Sequence, residues 1–172
     1  MSQIKRNNNS AIIVALDYDN EVDALKLCKK LNPSNCRVKI GKQLFTKYGP
    51  DIVTKIHNLG LEIFLDLKFH DIPTTVHKAC LEAYKLGVWM LNVHLLGGRD
   101  MLIAARDARD SINPKLNLIG VTLLTSYNLD NMKMFNTNSR EDVVNKLSQL
   151  AIESKIDGVV SSPSDIEIIN KN

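Results

Sequence analysis

The chain lacks any apolar run of membrane-spanning length. Its first hydrophobic stretch, Ala11 to Leu16, is six residues long and stops at Asp17. A secretory signal has a longer apolar core, and a membrane helix needs about 20 apolar residues. Neither is expected, and the reading is a soluble, cytoplasmic protein with no membrane partner. Cysteine is scarce: Cys28, Cys36 and Cys80 are odd in number and have no C-x-x-C spacing. That excludes a disulfide or zinc framework and points to reduced thiols. Charge of one sign is lacking too. The formal net charge is only +3, with no dense Lys/Arg block and no interleaving of aromatic and basic residues, so no nucleic-acid partner is expected. His57, His70 and His77 have no metal-ligand spacing among themselves, and no metal is expected.

What is present is a balanced globular composition, 44% hydrophobic and 24% charged over 172 residues, enough for one domain with an ordinary core. A polar, Asn-rich extension over 1–10 precedes a single domain over 11–172. Short β-branched runs alternate with segments of helical period. Strands are predicted at Ala11–Asp17, Cys36–Gly41, Glu62–Phe69, Met90–Leu96, Asn117–Thr125 and Asp157–Ser161. Helices are predicted at Glu21–Leu31 (Val22, Leu25 and Leu27 among its apolar positions), within Lys42–Leu59, at Pro73–Leu86, within Asp100–Ile112 and within Glu141–Ser154. Ser164-x-x-Glu167 reads as a capping box opening a last helix. The polar stretch Asn128–Ser139 reads as a long loop over the site.

Six βα units in strict alternation specify an α/β protein with a parallel sheet wrapped by helices, either doubly wound or a (β/α)8 barrel. The first strand runs into Asp17-Tyr18-Asp19-Asn20 rather than a Gly-rich dinucleotide turn. Taking alternate residues, Arg37, Lys39 and Gly41 share one face of the second strand, and Glu62, Phe64, Asp66 and Lys68 one face of the third. Asn92 and His94 do so on the fourth. The opposite faces, such as Val38 with Ile40 and Ile63 with Leu65, are apolar. Polar residues facing inward at the carboxyl ends of strands favour a (β/α)8 TIM barrel. A complete barrel takes about 250 residues, so the chain is expected to hold six units, the last two absent and the outer strands left as long apolar edges.

The most informative string is Asp66-Leu67-Lys68-Phe69-His70-Asp71-Ile72-Pro73. Asp66 and Lys68, two apart on a strand, are expected to point the same way. The pair reads either as a salt bridge on a solvated face or as a deliberate buried ion pair. Asp71 reads either as the N-cap of the helix opened by Pro73 or as part of a site. His94 reads as a hydrogen-bonded structural residue, and Gly97-Gly98 as a tight βα turn rather than a phosphate cradle.

The string resembles the D-x-K-x-x-D-I-P signature of the orotidine 5′-phosphate decarboxylase family. Ala15-Leu16-Asp17, Val38-Lys39-Ile40-Gly41, Asn92-Val93-His94 with Gly97-Gly98, Val121 to Ser126 and Val159 to Ser164 are similar to the family's other strands, in order. The resemblance implies a homodimeric barrel that converts orotidine 5′-phosphate to uridine 5′-phosphate and carbon dioxide with no cofactor. It implies catalytic roles for Lys39, Asp66, Lys68 and Asp71. It places substrate contacts at Asp17, Lys39 and Thr125 and along Asp66, Leu67, Lys68, Phe69, His70, Asp71, Ile72, Pro73, Thr74 and Thr75, with Asp71, Ile72 and Thr75 reaching into the neighbouring subunit's site. Lys68 would be the proton donor. No residue here matches the family's phosphate-binding Arg. The alternatives are a Mg-dependent sugar-phosphate lyase of the same superfamily (hexulose-phosphate synthase type) and a non-catalytic barrel remnant.

Overall fold

The computed structural model describes residues 10–127 and 139–170. The extension before Ser10 and nearly all of the Asn128–Ser139 loop lie outside the described residues. The strands are β1 (Ile13–Ala15), β2 (Arg37–Gly41), β3 (Ile63–Phe69), β4 (Met90–His94), β5 (Asn117–Val121) and β6 (Gly158–Val160). They stand in the sheet in chain order, β1-β2-β3-β4-β5-β6. The pairs β1–β2, β2–β3 and β5–β6 are parallel. A doubly wound sheet reverses its strand order at a switch point; this one does not, and the order is that of a βα barrel.

The helices are α1 (Glu21–Cys28), α2 (Lys42–Tyr48), α3 (Pro50–His57), α4 (Pro73–Lys85), α5 (Gly98–Ile112), α6 (Arg140–Glu153) and α7 (Ile166–Ile169). Among the described residues, no helix is long and apolar enough to cross a membrane. The chain divides into two compact units, one formed by residues up to Leu67 with Ala83–Leu91, the other by Lys68–Glu82 with Asn92 onward.

In the first unit, Val38, Ile40, Ile63 and Leu65 are fully buried on the apolar faces of β2 and β3, with Ile52 and Ile56 of α3. Burial of each such side chain stabilises by about 1.5–3 kcal/mol. The single helix expected within 42–59 is two helices, broken at Gly49, whose φ of 59° suits glycine, with Pro50 opening α3. Helix α1 stops at Cys28 rather than Leu31, and its core face is Ala24 and Cys28, four residues apart. Val22, expected among the apolar positions, is 70% exposed. A two-turn helix of mixed polarity leaves its rotation to its neighbours. At the amino end of β2, Arg37 donates to Glu62 at 2.8 Å and stacks 3.9 Å over the Trp89 ring, closing the unit with a charge-assisted and cation–π pair.

The second unit packs Val93, Leu95, Met101, Leu102, Ala105, Leu118, Val144 and Leu147. Gly120 on β5 has a packing reason: a Cβ there would lie 2.4 Å from Leu95 Cδ2. Strand β4 ends at His94, and Leu95–Gly97 forms a 3-10 turn before α5, which begins at Gly98. Strand β5 ends at Val121 rather than Thr125, because the chain turns through a Tyr127 N–H to Leu124 carbonyl bond. The capping-box reading of Ser164 and Glu167 is corrected. Ser164 Oγ pairs with Ser162 Oγ at 2.9 Å, and Pro163–Asp165 forms a 3-10 turn that delays the helix to Ile166. Asp165, 1% exposed, takes two 2.8 Å bonds from Arg140 at the start of α6. The Arg140 hydrogen bond holds the Asp165 carboxyl below its usual range. The outer strands are apolar, Ile13 and Val160 being 37% and 38% exposed, but each is three residues long rather than extended. Short edge strands limit the unpaired backbone on offer.

Candidate active site

Parallel strands deliver their last residues to one edge of a sheet, so the residues to follow are those ending β1 to β5. In the first unit, Lys39 extends from the polar face of β2. Its ammonium lies 3.3 Å from Asp17 Oδ1, just beyond β1, and 3.3 Å from Asp66 Oδ2 on β3. The register explains the meeting: Ala15 pairs with Lys39, and Gly41 with Asp66. Asp66 is buried at 8% exposure, whereas the Asp17 side chain is 72% exposed. Lys39 therefore bridges a buried carboxylate and a solvated one. A Cβ at Gly41 would make only ordinary contacts, 3.6 Å from both Asp17 Oδ1 and Lys39 Nζ, so the ion pair itself does not require glycine there.

The loop after β1 is braced by residues that sequence reasoning did not single out. Gln43 Nε2 donates to Asp19 Oδ1 and Lys47 Nζ to the Asp19 carbonyl, both at 2.8 Å. The available signal was their i, i+4 spacing on one face of α2.

In the second unit, Lys68 lies near the end of β3 with a φ of 51°. It therefore departs from the alternation that would have it mirror Asp66. A non-glycine residue held there costs on the order of 1–3 kcal/mol. Its N–H donates to Asn92 Oδ1 at 2.7 Å, and Asn92 is fully buried on β4. His94 is also buried; its Nδ1 accepts from the Leu96 N–H at 3.3 Å, and its ring stacks on His70 at 5.4 Å. His94 is hydrogen-bonded as read, and Gly97-Gly98 lies at the junction of the 3-10 turn and α5.

The segment His70–Thr75 is exposed throughout, with Ile72 at 64%. Asp71 is not the N-cap. The Ile72 carbonyl accepts the first helical bond, from Val76 N–H at 3.1 Å, while Asp71 Oδ1 accepts from the adjoining Ile72 N–H at 2.7 Å. Pro73 occupies the first helical position as read. Leu67, Lys68 and Phe69 are half-buried, and Thr125 is exposed in the turn after β5. Among the described residues, no three His, Cys, Asp or Glu side chains gather as a metal site. The three cysteines are free and buried. Burial pushes the Cys28 thiol up to about 11 and the Cys80 thiol up to about 12, away from nucleophilic use.

Known proteins match this chain along nearly its whole length. The orotidine 5′-phosphate decarboxylase of Nitrosospira multiformis is 52% identical over 158 residues, 91% of this chain and 65% of its own length. The chain thus spans just under two thirds of that curated relative. Among solved structures, an orotidine 5′-phosphate decarboxylase from Lactobacillus acidophilus superposes with a TM-score of 0.83 at 38% identity, covering 94% of this chain and 75% of that one. An uncharacterized conserved protein from Geobacillus kaustophilus gives a TM-score of 0.86 at 33% identity, covering 93% and 77%. The sequential strand order is accordingly that of six βα units of a TIM barrel. With the family model matching residues 10–172, the chain belongs to the orotidine 5′-phosphate decarboxylase / HUMPS family.

Proposed function

We propose that this chain carries the catalytic strands of an orotidine 5′-phosphate decarboxylase that works without a metal or organic cofactor, as a cytoplasmic homodimer in pyrimidine nucleotide synthesis. The observation that carries the reading is the ion-pair chain Asp17–Lys39–Asp66, which links the loop after β1 to the middle of β2 and of β3, within a family whose members bear that activity's name.

Loss of carbon dioxide breaks the bond between the carboxyl carbon and the pyrimidine ring and leaves the electron pair on a ring carbon that cannot delocalise it. A fixed cation is the remedy a protein can offer. Lys68 supplies it and then donates its proton to that carbon as general acid. Lys39, already positioned between two carboxylates, needs no reorganisation when substrate arrives. Asp17, just beyond β1, and Thr125, in the turn after β5, are both exposed and contact the ribose and the pyrimidine edge. Asp71 and Thr75 act across the dimer interface. The exposure of the whole His70–Thr75 segment, including the apolar Ile72, supports that placement.

The test is loss of orotidine 5′-phosphate absorbance by the 172-residue chain in excess chelator, beside Lys68→Ala. Turnover that survives chelation and vanishes in the variant is expected. Activity abolished by chelator favours the Mg-dependent sugar-phosphate alternative, and a folded chain with no turnover and no nucleotide binding favours the non-catalytic one.

A further inference from the structure

Two non-glycine residues among those described have a left-handed backbone, Lys155 and Lys68. Lys155 has an ordinary explanation. It follows the end of α6, where the Ile156 N–H returns to the Ala151 carbonyl at 2.9 Å, a helix-terminating arrangement that calls for such a residue. Lys68 has no such explanation, because it lies within β3, where its neighbours are extended. Glycine or asparagine would take the conformation at lower cost. What accompanies Lys68 instead is a buried side-chain acceptor. Asn92 Oδ1 receives the Lys68 N–H at 2.7 Å. Asn92 is itself fully buried on β4, so the amide has little freedom to move away. Strained backbone held by its surroundings concentrates where a side chain must be aimed.

We propose that Asn92 is a positioning residue for the Lys68 ammonium. Its side-chain carbonyl holds Lys68 in the left-handed conformation and so sets the direction in which the lysine leaves β3. The catalytic consequence rests on Lys68 being the proton donor of the proposed decarboxylation; the conformational claim does not.

The experiment compares Asn92→Leu, which removes the acceptor at similar size, with Asn92→Asp, which keeps an oxygen there in either protonation state. The sign of the Lys68 φ is read by NMR from backbone couplings and chemical shifts in the full chain. Asn92→Leu is expected to lose the positive φ and Asn92→Asp to keep it; a positive φ that persists in Asn92→Leu overturns the proposal. In the decarboxylation assay, Asn92→Leu is expected to lower kcat about 100-fold, the scale of a misplacement of about 1 Å, with little change in KM. Asn92→Asp should recover most of that loss. In a Lys68→Ala background, Asn92→Leu should remove nothing further. A lost φ with undiminished kcat overturns the positioning role. A wild-type chain that does not turn over defeats the decarboxylase reading instead, and the φ measurement still decides the conformational claim. Should Asn92→Leu not fold, Asn92→Leu with Lys68→Gly takes its place, since glycine needs no support for a positive φ. Recovery of folding is expected, and its absence assigns Asn92 to a general packing role.

Discussion

Lys39 is the place to strike the site, because one ammonium serves two carboxylates of different exposure. At 3.3 Å from each, the two attractions are geometrically equal and differ only in surroundings. For Asp66, 8% exposed, an effective dielectric near 20 gives about 5 kcal/mol of attraction at that distance. For Asp17, with its side chain 72% exposed, a dielectric near that of water gives about 1 kcal/mol. Desolvation offsets part of the first figure, and breaking a buried pair typically costs about 3–5 kcal/mol because the orphaned charge stays buried. Lys39→Met is therefore expected to destabilise the fold by about 3 kcal/mol. Asp17→Asn should cost under about 1 kcal/mol. Lys39→Met combined with Asp66→Asn should regain a large part of the loss, since a neutral amide needs no countercharge. Urea unfolding of the three variants measures this through the transition midpoint. The reasoning fails if Asp17→Asn costs as much as Lys39→Met, or if the double variant is no more stable than Lys39→Met alone.

Further outcomes are expected elsewhere. Arg140→Ala leaves the Asp165 carboxylate buried without its guanidinium and should cost about 3 kcal/mol, seen as a drop in the thermal midpoint. Because Arg140 lowers the Asp165 carboxyl from its ordinary 3.8, the stabilisation is present above about that pH and is lost as pH falls through the folded-state value. Arg140→Ala should therefore flatten the acid limb of a stability–pH profile measured from neutrality downward. On the proposed shared-site homodimer, mixing Lys68→Ala with Asp71→Ala subunits should restore part of the activity that each variant alone lacks, and verified mixed dimers with no recovery would overturn the placement of Asp71 across the interface. In a thiol titration of the native protein, Cys80, raised to about 12, should react only at the rate of unfolding and become accessible in denaturant.

Much of this protein was legible before folding, where the deciding forces are local. The alternation of Val38 and Ile40 with Arg37 and Lys39 is a two-residue period, and the burial of β2 follows it. Pro73 announced the start of α4, and the string from Asp66 to Pro73 announced the family. Where local forces were balanced, the tertiary structure chose. Helix α1 turned Ala24 and Cys28 inward and left Val22 in solvent, and Ser164 fell within a 3-10 turn, paired with Ser162, instead of capping the last helix. No local pattern says that Lys39 meets Asp17, 22 residues before it, since that contact depends on the β1–β2 register. Nor does any propensity put a lysine in a left-handed conformation inside a strand. At Lys68 the choice belongs to an acceptor 24 residues later on β4. Periodicity and signature residues thus determined the family and which strands carry the candidate residues. Ladder register and buried long-range hydrogen bonds decided how those residues are held, because both are made between segments that are neighbours only in the folded state.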